Sequence, residues 1–338
     1  MKPSHLYEAI LALLPQRVAI HIWGPPGVGK SQIVAEVARA LGYEFLDVRA
    51  AQLDPVDWRG IPHIDAGETA WATPRFLPKS GRGVLFLDEL TSAPQMTQAA
   101  CYQLVLDRRL GEYALPPDWV VLAAGNRAAD RGVHFAMPRP LRNRFVHLDL
   151  ETDLQEWCRW ALQAHVRPEI IAFLRFKPDL LHQPGTPDAN AWPTPRSWEM
   201  ASKVLTGSAC RQQAALQNPA WSVPDLEFDL LSGTIGEAAA GEFSAFLRLY
   251  RQLPSIDEIF LNPERAPVPI EPSTQYAVAT AIGRFTTDQS ISRALKYLDR
   301  LPVEFKILAI RDAVVRDPAL THTPEFITFG VQHAEVIH

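Results

Sequence analysis

The chain has 338 residues, with 33 Lys and Arg against 38 Asp and Glu, so its formal net charge at pH 7 is −5. This length suits roughly two domains. The 47 % hydrophobic and 21 % charged residues are typical of a globular protein and exclude a disordered or collagen-like chain. The acidic balance argues against a broad basic face of the kind that binds nucleic acid.

Uniformly apolar segments predict a parallel sheet in the first part of the chain. Residues 17–23 are β-branched and apolar and run into Gly-Pro-Pro, which predicts a strand. Residues 30–41 carry apolar side chains four apart and predict a helix. Further strands are predicted at 44–48, 83–88, 119–124 and 145–148. Strands that are apolar on both faces favour a parallel sheet covered by helices, so residues 1–150 are predicted to form an α/β domain.

The loop between the first strand and helix has the pattern of a phosphate-binding loop. It fits G-x-x-x-x-G-K-[ST] at every fixed position, in the required strand–loop–helix context. Glycines let backbone N–H groups approach phosphates, and the helix directs its positive end toward them. Lys30 is predicted to reach the β- and γ-phosphates of ATP, and Ser31 to bind Mg²⁺. The residues predicted to contact the nucleotide are Gly24, Pro25, Pro26, Gly27, Val28, Gly29, Lys30 and Ser31.

Polar side chains follow two later strands at their carboxyl ends. Asp88 and Glu89 follow the apolar residues 84–87, and Asn126 follows the strand at 119–124. In a parallel sheet such positions face the ligand crevice. Asp88 is predicted to hold Mg²⁺ through its water shell, Glu89 to act as general base on the attacking water, and Asn126 to orient that water. Each of these residues is also common where a strand ends, so alone it predicts little. The functional interpretation depends on the phosphate loop upstream in the same chain.

Together these motifs resemble those of the AAA+ ATPases, most of all the MoxR-type branch, over about residues 5–205. The resemblance rests on residues 24–31 (Walker A), 85–89 (Walker B), 123–127 (sensor-1), 140–145 and 193–197. It implies that Arg144 acts in trans on the nucleotide of a neighbouring subunit, with Arg142 as the alternative contact. It also implies that Arg196, at the start of a lid helix, contacts the γ-phosphate in cis. Alternatively, Arg142 and Arg144 stabilise a helix C-terminus and Arg196 lies on the surface.

Two further segments resemble the hairpins of that branch. Residues 53–77 are similar to the hairpin inserted in helix 2, and residues 107–117 to the hairpin that precedes sensor-1. In such rings both hairpins tend to face the central channel or the client protein. Ordinary surface hairpins are the alternative interpretation.

The remainder of the chain is predicted to be helical, with proline-rich connections between the helices. The whole chain contains 29 prolines. Helices are predicted at 151–176 with a break near Pro168, at 196–217, at 226–253 as one helix or a helix pair, and at 273–301 and 303–315. Proline-rich loops are predicted at 182–195 and 254–272. The predicted fold class is therefore a P-loop AAA+ parallel-sheet domain (1–150), an all-α lid (151–250) and a helical C-terminal extension (251–338).

The resemblance implies an ATP hydrolase that forms a ring, with a hexamer as the first expectation and a heptamer or open spiral as alternatives. It further implies a chaperone-like role on a partner protein, often one with a von Willebrand factor A domain. A nucleic-acid motor, such as a restriction or helicase-associated subunit, and a nucleotide-gated scaffold are the alternatives. The net charge argues against the motor. Three scattered cysteines (Cys101, Cys158 and Cys210) and the lack of an apolar run of ~20 residues predict a cytoplasmic protein without a membrane span.

Overall fold

The computed structural model describes residues 1–127, 130, 135–186, 188–217 and 226–333. The side chains of residues 210–217, including that of Cys210, lie outside this description. The chain divides into two compact units, Met1–Asp153 and Leu154–His338, and each has its own hydrophobic core.

The first unit is built on a parallel sheet. The strands are β1 (Ile20–Trp23), β2 (Glu44–Arg49), β3 (Ile61–Asp65), β4 (Glu68–Ala72), β5 (Gly83–Asp88), β6 (Arg109–Leu110), β7 (Tyr113–Ala114), β8 (Trp119–Gly125) and β9 (Val146–Asp149). Five of them form one sheet in the order β2-β5-β8-β1-β9, and all its pairs are parallel. The predicted parallel sheet is thus confirmed.

Helices cover both faces of this sheet. They are α1 (Pro3–Leu13), α2 (Lys30–Ala40), α3 (Pro55–Arg59), α4 (Gln95–Asp107) and α5 (Arg139–Arg142). On β5, Val84 and Phe86 pack on the face with α1 and α2, whereas Leu85 and Leu87 pack on the face with α4. Successive side chains of a strand point to opposite faces, which explains why the strand is apolar throughout.

Both predicted hairpins are confirmed. β3 and β4 pair antiparallel across the turn at Ala66 and Gly67, whose positive φ angles of 49° and 86° suit a tight turn. β6 and β7 also pair antiparallel. The start of β1 differs from the prediction: Arg17 has a φ of 58° at the end of a 3-10 turn, so the strand begins three residues later, at Ile20.

The second unit is helical. Its helices are α6 (Leu154–Gln163), α7 (Pro168–Phe176), α8 (Pro195–Gln217), α9 (Leu226–Ile235), α10 (Glu237–Tyr250), α11 (Ile256–Leu261), α12 (Pro272–Phe285), α13 (Ile291–Leu298), α14 (Val303–Arg316) and α15 (Pro324–Gln332). The break near Pro168 is confirmed, whereas α11 and α15 lie where no helix was predicted. A Ser255 cap, whose Oγ accepts the Glu258 N–H, starts α11 inside the proline-rich segment.

Many of the prolines begin helices. Pro3, Pro55, Pro168, Pro195, Pro272 and Pro324 each occupy the first position of a helix. Proline suits that position because its fixed φ is helical and its missing N–H has no partner there in any case. The high proline content therefore reflects helix starts as well as loops.

Helix α12 lies at the centre of the second unit and packs against both α7 and α14. At Gly283 of α12, a Cβ would lie only 2.7 Å from the carbonyl oxygen of Ala309 on α14, so this crossing requires glycine. These contacts join residues from both sides of position 250. The predicted domain limits at residues 150 and 250 stay predictions.

A buried ion pair ties α7 to α14. The Arg175 guanidinium donates to both carboxylate oxygens of Asp312, with an Nη2–Oδ1 distance of 2.7 Å. Its Nη1 also donates to Thr280 Oγ1 on α12 at 3.0 Å. The two charged side chains are only 8 % and 3 % exposed. Removal of one partner would leave a buried charge without compensation.

We therefore expect Arg175→Met to lower the free energy of unfolding of the second unit by about 3–5 kcal/mol. Denaturant unfolding followed by the helical circular dichroism signal measures this. The control is Lys203→Met, which removes the exposed Lys203–Glu199 pair and should change the value by less than about 0.5 kcal/mol. Equal effects of the two substitutions would contradict the assignment of Arg175 as a core constraint.

Candidate functional site

The site lies where β5, β8 and β1 end side by side. The strand order β5-β8-β1 brings three chain segments to one edge of the sheet: the loop 24–29, residues 88–89 and residue 126. Backbone contacts tie these segments together, since the Gly24 N–H donates to the Gly125 carbonyl at 3.3 Å. The structure thus brings together the residues that the sequence places at the ends of separate strands.

Three glycines of the loop are required for two different reasons. Gly27 and Gly29 have φ angles of 78° and 93°, which favour glycine. Gly29 is also the residue that precedes α2. Gly24 has no room for a side chain, because a Cβ would lie 2.9 Å from the carbonyl oxygen of Leu150. The loop can therefore turn its backbone toward a bound anion at the positive end of α2.

Lys30 holds the loop to the end of β8. Its Nζ donates to the carbonyl oxygens of Gly24 at 2.6 Å and Pro25 at 3.0 Å, and to Asn126 Oδ1 at 3.2 Å. Ser31 follows in the first turn of α2 and is partly exposed. The Lys30 ammonium thus contacts Asn126, the residue predicted to orient water. Ser31, the predicted Mg²⁺ ligand, lies at the same helix start.

The end of β5 carries the two predicted carboxylates. Asp88 is half-buried and its Oδ1 accepts the Glu89 N–H at 2.9 Å. Glu89 is exposed and has a φ of 56°. A left-handed φ at a residue other than glycine costs about 1–2 kcal/mol, and such strain clusters at functional sites. Here it turns the chain sharply at Glu89, directly after the strand.

A third carboxylate, Asp47 on β2, was missed by the sequence analysis. Desolvation raises the pKa of Asp47, the charge of Asp88 raises it further, and Arg49 lowers it. Asp47 pairs with Phe86 in the β2–β5 register, two residues before Asp88. Only the strand order shows this proximity, because nothing in the sequence indicates that β2 lies beside β5.

The end of β8 is fixed by a contact from the turn after β5. Thr91 Oγ1 donates to the Asn126 carbonyl oxygen at 3.2 Å. A Cβ at Gly125 would lie 2.4 Å from that same Oγ1, so glycine is required before Asn126. The Asn126 backbone is consequently held by the turn after β5, while its side-chain amide oxygen accepts from the Lys30 ammonium.

The two candidate finger arginines lie at the end of α5: Arg142 is its last residue and Arg144 follows it. Arg144 is exposed, while its neighbour Phe145 and the preceding Leu141 are buried. Its N–H donates to the Leu141 carbonyl at 3.0 Å, so its backbone is fixed. Among the described residues, the Arg144 guanidinium makes no hydrogen bond or ion pair, whereas Arg142 Nη2 donates to the Met137 carbonyl at 3.3 Å. Arg144 therefore has the fixed backbone and unengaged side chain that a residue acting on a neighbour needs.

Arg196 belongs to the second unit and is exposed at the start of α8. The helix start is firmly held, because Ser197 N–H donates to Thr194 Oγ1 at 3.0 Å and Thr194 N–H donates to Ser197 Oγ at 2.7 Å. The buried Trp198 adds a hydrogen bond from its indole to the Leu180 carbonyl at 2.6 Å. Its predicted contact with nucleotide in the first unit stays a prediction.

Comparison with protein families gives a match within the first unit. Residues 19–145 match the family of the AAA domain (dynein-related subfamily). This segment has the P-loop AAA fold. The match includes the phosphate loop, the two carboxylates after β5, Asn126 and both finger candidates, and it covers less than half of the chain.

The solved structures that match this chain have low sequence identity and TM-scores below 0.5. NtrX from Brucella abortus in complex with ADP is 17 % identical, with a TM-score of 0.42, over 98 % of this chain and 67 % of that one. The same protein in complex with ATP is 17 % identical, with a TM-score of 0.43, over 90 % and 68 %. A RuvB mutant from Thermotoga maritima is 17 % identical, with a TM-score of 0.37, over 97 % and 85 %. A search of curated proteins gives no match.

The described residues also bear on the predicted absence of a membrane span and on the predicted metal ligands. In that part of the chain, no helix has both the length and the hydropathy needed to cross a bilayer. Nor does the described part contain three or more His, Cys, Asp or Glu side chains arranged to hold a metal ion. The predicted binding of Mg²⁺ by Ser31 and Asp88 stays a prediction.

The backbone of the phosphate loop can be tested by a matched pair of substitutions. Gly29→Ala should lower the free energy of unfolding by about 1–2 kcal/mol, because its φ of 93° strains any side chain although open space surrounds it. Gly207→Ala, in open space on the exposed face of α8, should raise it by about 0.5–1 kcal/mol. Thermal or denaturant unfolding measures both values. The same sign for both substitutions would contradict the left-handed geometry of Gly29.

Proposed function

We propose that this protein is a MoxR-type AAA+ ATPase that forms a ring and uses ATP hydrolysis to remodel or activate a partner protein. The observation that carries the proposal is the position of Lys30, which joins a complete phosphate loop to Asn126 beside the Asp88–Glu89 pair. The family match of residues 19–145 supports the same class.

In this proposal the loop and α2 bind the phosphates of ATP. Lys30 Nζ exchanges its contacts with the Gly24 and Pro25 carbonyls for phosphate oxygens, and loop N–H groups between residues 24 and 31 supply the remaining donors. Ser31 and Asp88 suit Mg²⁺ because they offer hard oxygen ligands and leave room for phosphate oxygens and water. Mg²⁺ bound with ATP neutralises the charge of the phosphate oxygens.

Glu89 and Asn126 act on the attacking water. The turn at Glu89 sets its carboxylate beyond the end of β5, where it accepts a proton from water as that water attacks the γ-phosphorus. Asn126 is held by Thr91 and Lys30, so its amide presents a fixed hydrogen-bonding group for the same water. Both residues thus orient a nucleophile that ATP alone does not position.

Arg144 completes the site of the neighbouring subunit. Its guanidinium matches phosphoryl oxygens through a planar fork of donors, and its fixed backbone limits the entropy lost on contact. Arg142, partly engaged by the Met137 carbonyl, is the alternative finger and the second candidate for contact with the nucleotide. We propose Arg196 as the residue through which the second unit senses the γ-phosphate. Loss of that phosphate then releases the finger and the lid.

The partner is proposed to be a protein. The hairpin β3–β4 exposes Ile61 and Ile64, which are 71 % and 83 % exposed, and apolar side chains of this kind suit a protein surface. The net charge of −5 does not favour nucleic acid. The proposals of a hexameric ring and of a partner with a von Willebrand factor A domain rest on the family resemblance. The proposal of a cytoplasmic location rests on the cysteine pattern.

Glu89→Gln tests the general base. The substitution removes the proton acceptor and keeps the shape, so turnover should fall about 10²–10⁴-fold while ATP still binds. A coupled phosphate-release assay and nucleotide titration measure the two effects. Glu8→Gln, on the exposed face of α1, is the matched control and should leave turnover unchanged. Turnover of Glu89→Gln close to that of the natural chain would remove Glu89 from the mechanism.

A mixture of two inactive variants tests the trans finger. Arg144→Ala should lower turnover by about 10³–10⁵-fold, as expected when an arginine finger is lost. Mixed with Glu89→Gln subunits, which still supply Arg144, it should regain activity at the sites where the two kinds of subunit meet. Recovery with Arg142→Ala in place of Arg144→Ala would assign the finger to Arg142. If neither mixture recovers activity, no finger acts in trans.

A further inference from the structure

The side chain of His147 lies between two parts of the proposed site. His147 belongs to β9, the edge strand beside β1. Its Nδ1 lies 2.9 Å from the indole Nε1 of Trp23, the last residue of β1 before the phosphate loop. Its Nε2 lies 2.7 Å from the carbonyl oxygen of Arg142, the last residue of α5. One imidazole therefore contacts both the strand that leads into the phosphate loop and the turn that carries the finger arginines.

The two partners fix the roles of the ring nitrogens. An indole N–H can only donate, so His147 Nδ1 accepts from Trp23. A carbonyl oxygen can only accept, so His147 Nε2 carries the proton and donates to Arg142. This is the neutral imidazole with one proton on Nε2. Any replacement that keeps both bonds must supply one acceptor and one donor about as far apart as the two ring nitrogens.

The second bond holds the C-terminal carbonyl of a very short helix. α5 has four residues, and three backbone N–H groups follow its course: Asn143 to Arg139 O at 3.1 Å, Arg144 to Leu141 O at 3.0 Å and Phe145 to Arg142 O at 3.4 Å. The bond from the Phe145 N–H is long, and its acceptor, the Arg142 carbonyl oxygen, also accepts from His147. The imidazole thus supplies the shorter of the two bonds to the Arg142 carbonyl.

Aromatic packing holds the imidazole in place. The rings of Trp23 and His147 are stacked at 27°, with centroids 5.9 Å apart. Phe145, directly after Arg144, contacts the His147 ring edge-on at 6.3 Å and the buried His21 ring at 5.6 Å. The backbone of Trp23 is held independently, because its carbonyl oxygen accepts the Leu150 N–H at 2.8 Å. The backbone of Trp23 is thus held without His147, and the Arg142 carbonyl is the group that the imidazole helps to fix.

We propose that His147 is a positioning residue for the arginine finger, tying the turn at residues 142–145 to Trp23 at the entrance of the phosphate loop of the same subunit. The proposal rests on the proposed function, since it gives His147 an effect on hydrolysis in the neighbouring subunit. His147 touches no reacting atom and acts through Arg142 and Arg144 alone.

Hydrogen exchange tests the anchoring without any assumption about catalysis. In His147→Ala, peptides that span residues 139–146 should exchange about three- to tenfold faster than in the natural chain, because one or two hydrogen bonds are lost. His147→Gln, whose amide offers one donor and one acceptor, should fall between the two. Unchanged exchange in His147→Ala would overturn the proposal whatever the effect on turnover.

The mixed-subunit assay tests whether the effect acts in trans. Subunits with Glu89→Gln supply fingers, and subunits with Arg144→Ala supply competent sites. Adding His147→Ala to the Glu89→Gln subunit should lower the kcat of the mixture about three- to tenfold at unchanged KM. Adding it to the Arg144→Ala subunit, whose finger is already absent, should leave the kcat unchanged, because the Trp23 backbone stays held.

The outcomes separate this proposal from the function on which it rests. Equal losses in the two placements would show a general structural effect and overturn the positioning role of His147 while the trans finger stands. No loss in either placement would do the same. A mixture that is inactive with His147 intact would overturn the trans finger, and with it the role of His147.

Discussion

The contact of the Lys30 ammonium with both the phosphate loop and Asn126 is the interaction on which the proposed site depends. It requires a loop that begins at the end of β1 and an amide at the end of β8, and these ends are adjacent because β1 and β8 pair in parallel. Glycines at 24 and 125 let these two ends pack closely on other segments, since a Cβ at Gly24 would lie 2.9 Å from the Leu150 carbonyl oxygen and one at Gly125 would lie 2.4 Å from Thr91 Oγ1. Sheet order, glycine positions and one ammonium group thus place the polar ends of three strands together.

A second constraint applies to the finger. An arginine that acts on a neighbouring subunit needs a fixed backbone and an unengaged guanidinium. Here the buried Leu141 and Phe145 fix the backbone, and the His147 imidazole holds the carbonyl at the end of α5. Arg144 meets both requirements within the described residues, while the Arg142 guanidinium donates to the Met137 carbonyl oxygen, two residues before α5 begins. The exposed Arg144 guanidinium is thus held by a short turn whose neighbouring side chains are mostly apolar and buried.

Local patterns predicted well those parts of the molecule that depend on neighbours in the chain. The phosphate loop, β5 and the break at Pro168 follow from glycine, apolar runs and proline, and the structure has them within one or two residues. The strand register and side-chain contacts were not predictable. Asp47 and His147 gain their surroundings from strands that lie far from them in the sequence, and an isolated Asp or His carries no sign of such a neighbour.

Two differences from the prediction have a local origin. β1 starts later than predicted because a left-handed Arg17 ends the preceding turn, and that conformation leaves no apolar signal. α11 begins at a Ser255 cap inside a segment whose prolines indicated only a loop. In each case a single backbone conformation or hydrogen bond overrides the composition of the segment.

Calorimetric titration of the natural chain and of Lys30→Ala with Mg²⁺ and ATP tests the central claim most directly. The account predicts saturable binding to the natural chain and an affinity about ten- to a hundredfold weaker for Lys30→Ala, since charge-assisted hydrogen bonds to phosphate are lost. Equal affinity of the two proteins, or no binding to the natural chain, would contradict the assignment of residues 24–31 as the nucleotide site.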